Sequence, residues 1–554
     1  MAAWELWPQH PAKARAFAEA CDLPPLLGQT LLNRGMTTTA EARRFLSPSL
    51  DALDDPLDLP DMPAAMRRVR QAIAAKERIV LFGDSDVDGL TALTIVSEVL
   101  SAHGARVSVR VSNRVKDGYG FPAGLIPPLA RAKIGLVVLL DCGSNQVEEV
   151  RAMGRAGIDV IIIDHHVPTR LAEPLALVNP YRGSGIGREL CTAGLALKFA
   201  QAWDADALER YVDVAAGGTL ADYAPLVGEN RMFIRAGLAR LSRTPRPGLQ
   251  RLCEAVRVTH ASPEQVSRLL IPRLNAAGRL GDARAVWKLL TASTAKAVEG
   301  PMEQIGAAHA QTKRLYREML GQAQDQASRL HFRDQYVMVV GRRGWHPGLV
   351  GPIAAQLTQR YGRPAIAIAL EERVGVGSGR CSAPFNLFEA LQACEPMLLR
   401  FGGHPRACGL TLESSKLEAF RDQINLHVHR LDDRQSLVRR LMVDAEATLA
   451  EMTPHLAASL ERLVPFGAGH ARPSVLMRDV TLESGKDGAW LTDGHRRVRV
   501  RGRSTLCAPR EHYDVVASLH EVRTELAVSL AEVRLSSASG AAQAAGAPSS
   551  HGRI

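Results

Sequence analysis

The sequence predicts an α/β protein: an open parallel sheet with interleaved helices, a long helix, a smaller second α/β unit and a small β-barrel. Three observations carry this. Short, branched apolar runs alternate with helical patterns from residue 78 to about 225. A second alternation of the same kind begins near residue 335. From about residue 440 the pattern turns to alternating, strand-like segments. At 554 residues the chain is too long for a single ordinary core.

Residues 1–75 read as a helical lead-in with Pro-rich interruptions. Next come ERIVLF, ARVSVRV, GLVVLL and IDVIII, which have the short, two-sided apolar character of buried parallel strands. Residues 90–102 and 145–156 carry helical periodicity between them, so an open α/β unit is expected within 76–300. Residues 225–330 are mostly helical in pattern, and 301–332 reads as a connecting helix. QYVMVV, PAIAIAL and CGLTL are strands of a second unit, 333–435, with helices over 348–361 and 415–428. SVLMRDVTLES, RRVRVRGR, YDVVASL and TELAVSLAEVRL predict a barrel over 436–536. The small, polar tail 537–554 is expected to be disordered.

Composition narrows the function classes. Lys and Arg total 68 against 58 Asp and Glu, a net charge of +10 that suits a polyanionic partner. Eight cysteines are scattered without a C-x-x-C pair, which argues against a zinc site of ordinary spacing and for reduced thiols in a cytoplasmic protein. The N-terminus lacks a signal-like apolar run, and no stretch of about 18 apolar residues is present to span a membrane.

The acids fall at telling positions. GDSDVDG follows IVLF and supplies Asp84, Asp86 and Asp88; DCGSN follows GLVVLL and supplies Asp141. After IDVIII come Asp164, His165 and His166, and GTLADYAPL supplies Asp222. In open α/β sheets ligands bind beyond the carboxyl ends of the strands, so these acids should share one rim. Two carboxylates about 4 Å apart repel by about 4 kcal/mol at an effective dielectric near 20. A cluster of five or six therefore needs protons or cations. Asp oxygens with His nitrogens suit Mn²⁺ or Mg²⁺, and two such ions would clamp a phosphodiester and activate water. Asp141 is the expected bridging ligand, with Asp86, Asp88, His165 and Asp222 completing the set. Asp84 is placed at its edge, either as a further metal ligand or as an acid that supports the ligands from behind. His166 either ligates or stabilises developing charge at the phosphate.

GDSDVDG, DCGSN, IIIDHHVP and GTLADYAPLVGENR stand in the order of the four motifs of the DHH phosphoesterase superfamily, which the chain resembles. IPRLNAAGRLGDA, GWHPGLVGPIAAQLTQRYGRPAI, GSGRCS, FGGHPRACGL and PFGAGHARP resemble segments of its RecJ family, over roughly residues 4 to 535. The resemblance implies a DHH domain with an open parallel sheet, linked by a long helix to a DHH-associated domain and followed by an OB-fold-like barrel. It implies a 5′→3′ exonuclease that releases mononucleotides from single-stranded DNA in repair and recombination; a monomer is the default expectation. A helicase or single-strand-binding protein is the implied partner. Ser85, Val87, Cys381 and the run His470-Ala471-Arg472 depart from the family pattern, but none of them removes a candidate ligand. The alternatives are a phosphodiesterase of short oligonucleotides or cyclic dinucleotides, and a non-hydrolytic DNA-binding scaffold.

An exonuclease must hold a strand end, and a phosphate needs cations or backbone amides. Arg279 and Arg380, in Gly-rich stretches read as loops, are the candidates, with Ser378 as a hydroxyl donor. Gly402, Gly403 and His404 are expected in a loop that lets backbone approach phosphate. His346 is expected to face the cleft, and Arg114 and Tyr119 to line the DNA path. Arg497, Arg499, Arg501 and Arg503 alternate strictly, so a strand would place all four on one face to track a DNA backbone.

Overall fold

The computed structural model describes residues 3–183, 185–332, 335–382, 384–431, 440–485, 488–501, 511–522 and 525–536. Arg503 and the tail 537–554 lie outside them. The chain forms two compact bodies. One spans Leu50–Arg439; the other assembles residues 2–49 with 440–554.

Strand β1 (Ala3–Leu6) belongs to the second body, and the first is built on five parallel strands. These are β2 (Arg78–Gly83), β3 (Arg106–Val111), β4 (Leu136–Leu140), β5 (Asp159–Ile163) and β6 (Ala176–Val178), in spatial order β3-β2-β4-β5-β6. All residues of β4 are buried, as are five of the six in β2, because helices cover both faces. The helix Val87–Ala102 is buried along nearly its whole length and joins the main core with Ile79, Leu81, Val138 and Ile161. After β2 the chain pairs β3 on one side and then crosses to β4 on the other. The strand order therefore reverses between β2 and β4, and such a switch point opens a crevice at the carboxyl ends.

The connecting helix is longer than expected. It runs Ala295–Ser328 with Pro301 inside it, rather than 301–332. The Thr294 hydroxyl accepts the Ala297 N–H and starts the helix at Ala295, ahead of Pro301. Beyond it lies a mixed five-stranded sheet in the order β10-β11-β9-β8-β7. Its strands are β7 (Met338–Arg343), β8 (Ala365–Leu370), β9 (Val374–Arg380), β10 (Leu398–His404) and β11 (Ala407–Glu413).

Two stretches read as loops are strands. In β9 the glycines alternate at 375, 377 and 379 on the buried face, where an added Cβ would come within 2.7–3.0 Å of Leu370, Ile368 or Leu387. Glycine serves close packing there, so VGVGSGR escapes the usual composition of a strand. The opposite face carries Val376, Ser378 and Arg380. Likewise Gly402, Gly403 and His404 form the end of β10 and pair with Gly409, Cys408 and Ala407.

The lead-in divides. The helix Met62–Ala74 packs into the core of the parallel sheet, whereas the helices Pro11–Cys21 and Pro25–Asn33 share a core with Leu456, Val475 and Val515 of the second body. Their apolar faces need a partner, and the C-terminal segment supplies one. Arg34 forks onto Asp444 at 2.7 and 3.1 Å across this join. β1 pairs in parallel with β12 (Arg440–Val443), and the short β13 (Ala445–Glu446) follows. The remaining strands are β14 (Ser474–Gly485), β15 (Gly488–Thr492), β16 (Arg497–Val500), β17 (His512–Val522) and β18 (Glu525–Leu535). They pair in a closed ring, β14-β15-β16-β18-β17-β14, in which only β16–β18 is parallel.

Candidate active site

The backbone hydrogen bonds that end the parallel sheet also bring the acids together. Asp84 N–H bonds the Leu140 carbonyl, Asp141 N–H the Ile163 carbonyl and Asp164 N–H the Val178 carbonyl, at 3.1–3.2 Å. Neighbouring strands thus deliver three acids to one edge, at the switch point. Asp86 and Asp88 open the helix Val87–Ala102; Asp86 is its N-cap and accepts the Gly89 N–H at 3.1 Å. Asp222 ends the helix Ala207–Ala221.

The groups converge on one imidazole nitrogen. His165 Nε2 lies 3.6 Å from Asp141, 3.8 Å from Asp88 and 3.8 Å from Asp222. Three sets of potential ligand atoms lie within 4.8 Å of one another: Asp141 with His165 and His166, Asp88 with Cys191 and Asp222, and Asp84 with Asp86 and Asp141. Taken together they offer five carboxylates, two imidazoles and one thiol, and a donor supply dominated by carboxylate oxygens fits hard divalent cations. Asp141 belongs to two of the three. It sits 2% exposed with φ +65°, a left-handed backbone that tightens the turn after β4.

Surrounding groups orient the carboxylates. Asp88 accepts the Thr192 and Ala193 N–H groups at 2.9 and 2.8 Å, which caps the helix Thr192–Gln201, and each of its oxygens keeps a second lone pair. The Thr192 hydroxyl donates to Asp141 at 2.9 Å. Asp84, fully buried, takes Arg114, the Ser112 hydroxyl at 2.6 Å and the Ser85 N–H at 2.8 Å. Arg114 is thus its counter-ion, while Asp84 also stands in a potential ligand set with Asp86 and Asp141. The same guanidinium reaches Asp86 at 2.7 Å. Arg114 thus lines the cleft with its guanidinium bonded to these acids. Tyr119 also turns inward: its hydroxyl donates to the Asp141 carbonyl at 3.1 Å and lies 3.2 Å from His166 Nδ1.

Crowding shifts the protonation equilibria. Withdrawal from water and then the charge of Asp141 push Asp86 up to about 7. Withdrawal from water and then Asp88 bring Asp141 to about 7, and burial with Asp222 brings Asp88 to about 6. Burial would lower His166, but its 2.7 Å contact with Asp164 overrides this and raises it to about 10. Burial would raise Asp164, but His166 holds it at about 2. Asp164 thus favours the charged form of His166.

A cleft of about 880 Å³ opens over this cluster, with Asp86, Asp88 and Asp222 on one wall and Ser378 and Arg380 on the other. The alternation of β9 aims Val376, Ser378 and Arg380 into it. Arg380 donates to the Ser378 hydroxyl at 2.7 Å. Arg279 also lines the cleft, from the last position of the helix Ile271–Arg279 rather than from a loop. Its side chain makes no hydrogen bond or ion pair among the described residues. Burial, and then repulsion from Arg380 and Arg114, lowers its pKa. Two cations held against each other mark a place for an anion. Gly278 makes this possible, since a Cβ there would meet the Ser85 carbonyl oxygen at 2.4 Å.

Other candidates are not among the residues that line the cleft. His346 accepts the Gly348 N–H through Nδ1 at 3.1 Å and caps a short turn, while Trp345 is buried and bonds Gln322. Gly402, Gly403 and His404 are exposed and outside the cleft lining, although burial and then the His166 and His165 charges lower His404. Arg497, Arg499 and Arg501 do share an exposed face, in the second body; Arg497 stacks on Trp490 at 4.6 Å and Arg501 bonds His520. Sequence reasoning passed over Cys191, Thr192, Asn275 and Tyr223. The small-residue start of a helix hid the first two. Asn275 lies inside the NAAGR motif, where its Oδ1 accepts the Val87 N–H at 3.2 Å.

Comparison with known proteins agrees with this geometry. The model of the DHH family, N-terminal domain, matches residues 78–219, and that of the DHHA1 domain matches 334–429. The chain is 32% identical to the single-stranded-DNA-specific exonuclease RecJ of Bacillus subtilis and 32% identical to that of Thermus thermophilus. Those matches cover 91% and 81% of this chain but 64% and 66% of the relatives, so the chain spans slightly less than two thirds of their length. It is 31% identical to RecJ of Dickeya dadantii, covering 82% of this chain and 83% of that one. The crystal structure of Thermus thermophilus RecJ in complex with Mn²⁺ superposes with a TM-score of 0.83 at 27% identity, over 96% of this chain and 79% of that one. The Mg²⁺ complex gives 0.76 at 26%, over 96% and 78%.

Proposed function

The chain belongs to the RecJ family, and from that premise we propose that it is a metal-dependent 5′→3′ exonuclease that hydrolyses single-stranded DNA to 5′ mononucleotides in repair and recombination. The observation that carries the reading is the meeting of Asp88, Asp141 and Asp222 within 3.8 Å of His165 Nε2, opposite Arg279 and Arg380 across one cleft. Asp86, Asp88, Asp141, His165 and Asp222 would hold two Mn²⁺ or Mg²⁺ ions. Bound there, the ions would polarise the phosphodiester and lower the pKa of the attacking water. Asp84, already paired with Arg114, supports the set from behind.

The remaining work falls to other side chains. Arg279 and Arg380, with the Ser378 hydroxyl, hold a phosphate against the acids and fix the strand end. Attack forms a new P–O bond to the water oxygen and breaks the bond to the 3′ oxygen, which takes a proton as it leaves. His166, whose charged form Asp164 favours, stabilises the negative charge that develops on the phosphoryl oxygens. Arg497, Arg499 and Arg501 give the second body a basic face suited to a DNA backbone. Its strand order, first-second-third-fifth-fourth-first with third and fifth parallel, supports an OB-fold. No described helix is long and apolar enough to cross a membrane. A monomeric, cytoplasmic enzyme working beside a helicase or single-strand-binding protein is part of the same proposal; the partner rests on the family resemblance and the compartment on the scattered cysteines.

Product analysis tests it with 5′- and 3′-labelled single strands and added Mn²⁺. The 5′ label should appear at once as mononucleotide, and Asp141→Ala should cut turnover by roughly 100-fold or more. Digestion from the 3′ end, activity confined to dinucleotides, or full activity in Asp141→Ala would refute the reading.

A further inference from the structure

Tyr223 is the most exposed large apolar side chain among the described residues, at 76%, and it lines the cleft. It directly follows Asp222 and has φ +58°, a left-handed conformation uncommon for a bulky residue. Other exposed tyrosines are engaged: Tyr119 bonds the Asp141 carbonyl, and Tyr181 sits under Arg188. The Tyr223 ring has no ring contact, cation contact or side-chain hydrogen bond among the described residues. Two more exposed apolar side chains, Val115 and Val376, line the same cleft at 42% each. Single exposed apolar residues need no explanation. Three around a floor of carboxylates and two arginines form a site for a group with an apolar face joined to an anion. A nucleotide is such a group.

We infer that Tyr223 is the stacking platform for the base beside the scissile phosphate. This rests on the single-strand exonuclease reading above. Consecutive Cα atoms are about 3.8 Å apart, so a residue adjacent to Asp222 reaches a base no more than about one nucleotide from the acids. Every base presents a π-face, so stacking there orients the strand without selecting its sequence. The unpartnered ring and the left-handed backbone that presents it to the cleft then have a purpose: the platform stands clear of the protein until a base covers it.

Binding of single strands carrying 2-aminopurine at successive positions from the 5′ end, to metal-depleted full-length protein, tests this. Quenching at one position is expected with wild type and with Tyr223→Phe, and its loss with Tyr223→Ala. The alanine variant should also bind the strand roughly 10-fold more weakly, within the range of about 5- to about 150-fold for base-stacking aromatics. An abasic residue at the quenched position should weaken wild type by a similar factor and add little in Tyr223→Ala. If wild type releases mononucleotides while Tyr223→Ala binds, quenches and responds to the abasic residue as wild type does, the stacking role is wrong. If wild type neither binds nor cleaves the strand, the exonuclease reading fails and the stacking role with it.

Discussion

Among single residues, the pair Asp164 and His166 offers the cleanest handle on the site. His166 is raised to about 10 by Asp164, so its contribution to stability is full below its ordinary value near 6.5 and fades as pH rises to about 10. Asp164 is depressed to about 2, so its contribution is present above its ordinary value near 3.8 and is lost as pH falls through about 2. The two windows overlap between about pH 4 and 6.5. Asp164→Asn should therefore lower the melting temperature most in that interval and by less as pH rises through about 10, as calorimetry across pH would read. Because His166 would lose the partner that favours its charged form, turnover should fall roughly 10- to 100-fold, the usual cost of removing such a supporting partner. An unchanged pH profile of stability would mean that the pair is not coupled as described.

Among elements, close approach decides the geometry. The helix Ile271–Arg279 touches the acidic turn through Gly278, and β9 lies against Ile368 and Leu387 through its alternating glycines. Gly278→Ala places a Cβ 2.4 Å from the Ser85 carbonyl oxygen, a contact that backbone cannot relieve by turning a side chain. The expected cost is about 1–3 kcal/mol, the range for overpacking. Denaturant unfolding measures it. Arg279 would shift with the helix, so KM for a 5′-phosphorylated strand should rise more than KM for one with a 5′-hydroxyl. Equal effects on the two substrates would separate Arg279 from the strand end.

Across the whole molecule, the acidic cluster links pH, cations and stability. Asp86, Asp88 and Asp141 are raised to about 7, 6 and 7. For an acid whose pKa is raised by folding, stability is highest below the ordinary value near 3.8 and declines as pH rises through the folded value. The metal-free protein should thus lose stability between pH 4 and 7 from these groups. Cation binding requires their ionised forms, so it releases protons and strengthens over the same interval. The rise in melting temperature on adding Mn²⁺ should be larger at pH 8 than at pH 5, and calorimetry in buffers of different ionisation enthalpy should detect proton release. A pH-independent Mn²⁺ shift would count against ligation by these carboxylates.

Much of this protein was legible from its sequence. Buried parallel strands need apolar, branched runs, and their carboxyl ends project into one crevice, so Asp84, Asp141 and Asp164 could be placed on a common edge from local pattern alone. The acids themselves announced a cation site, because like charges at that density cannot stand unaided. What only tertiary structure decided was which groups meet across the chain. Arg114 turned to Asp84 and Asp86, residues 2–49 joined the C-terminal body, and Arg380 emerged on a strand rather than a loop. Tyr223 stood free in the cleft. Local sequence sets what each segment can form, but pairings between distant segments depend on packing and on where each charge finds its counter-ion, and no short stretch of sequence contains both partners.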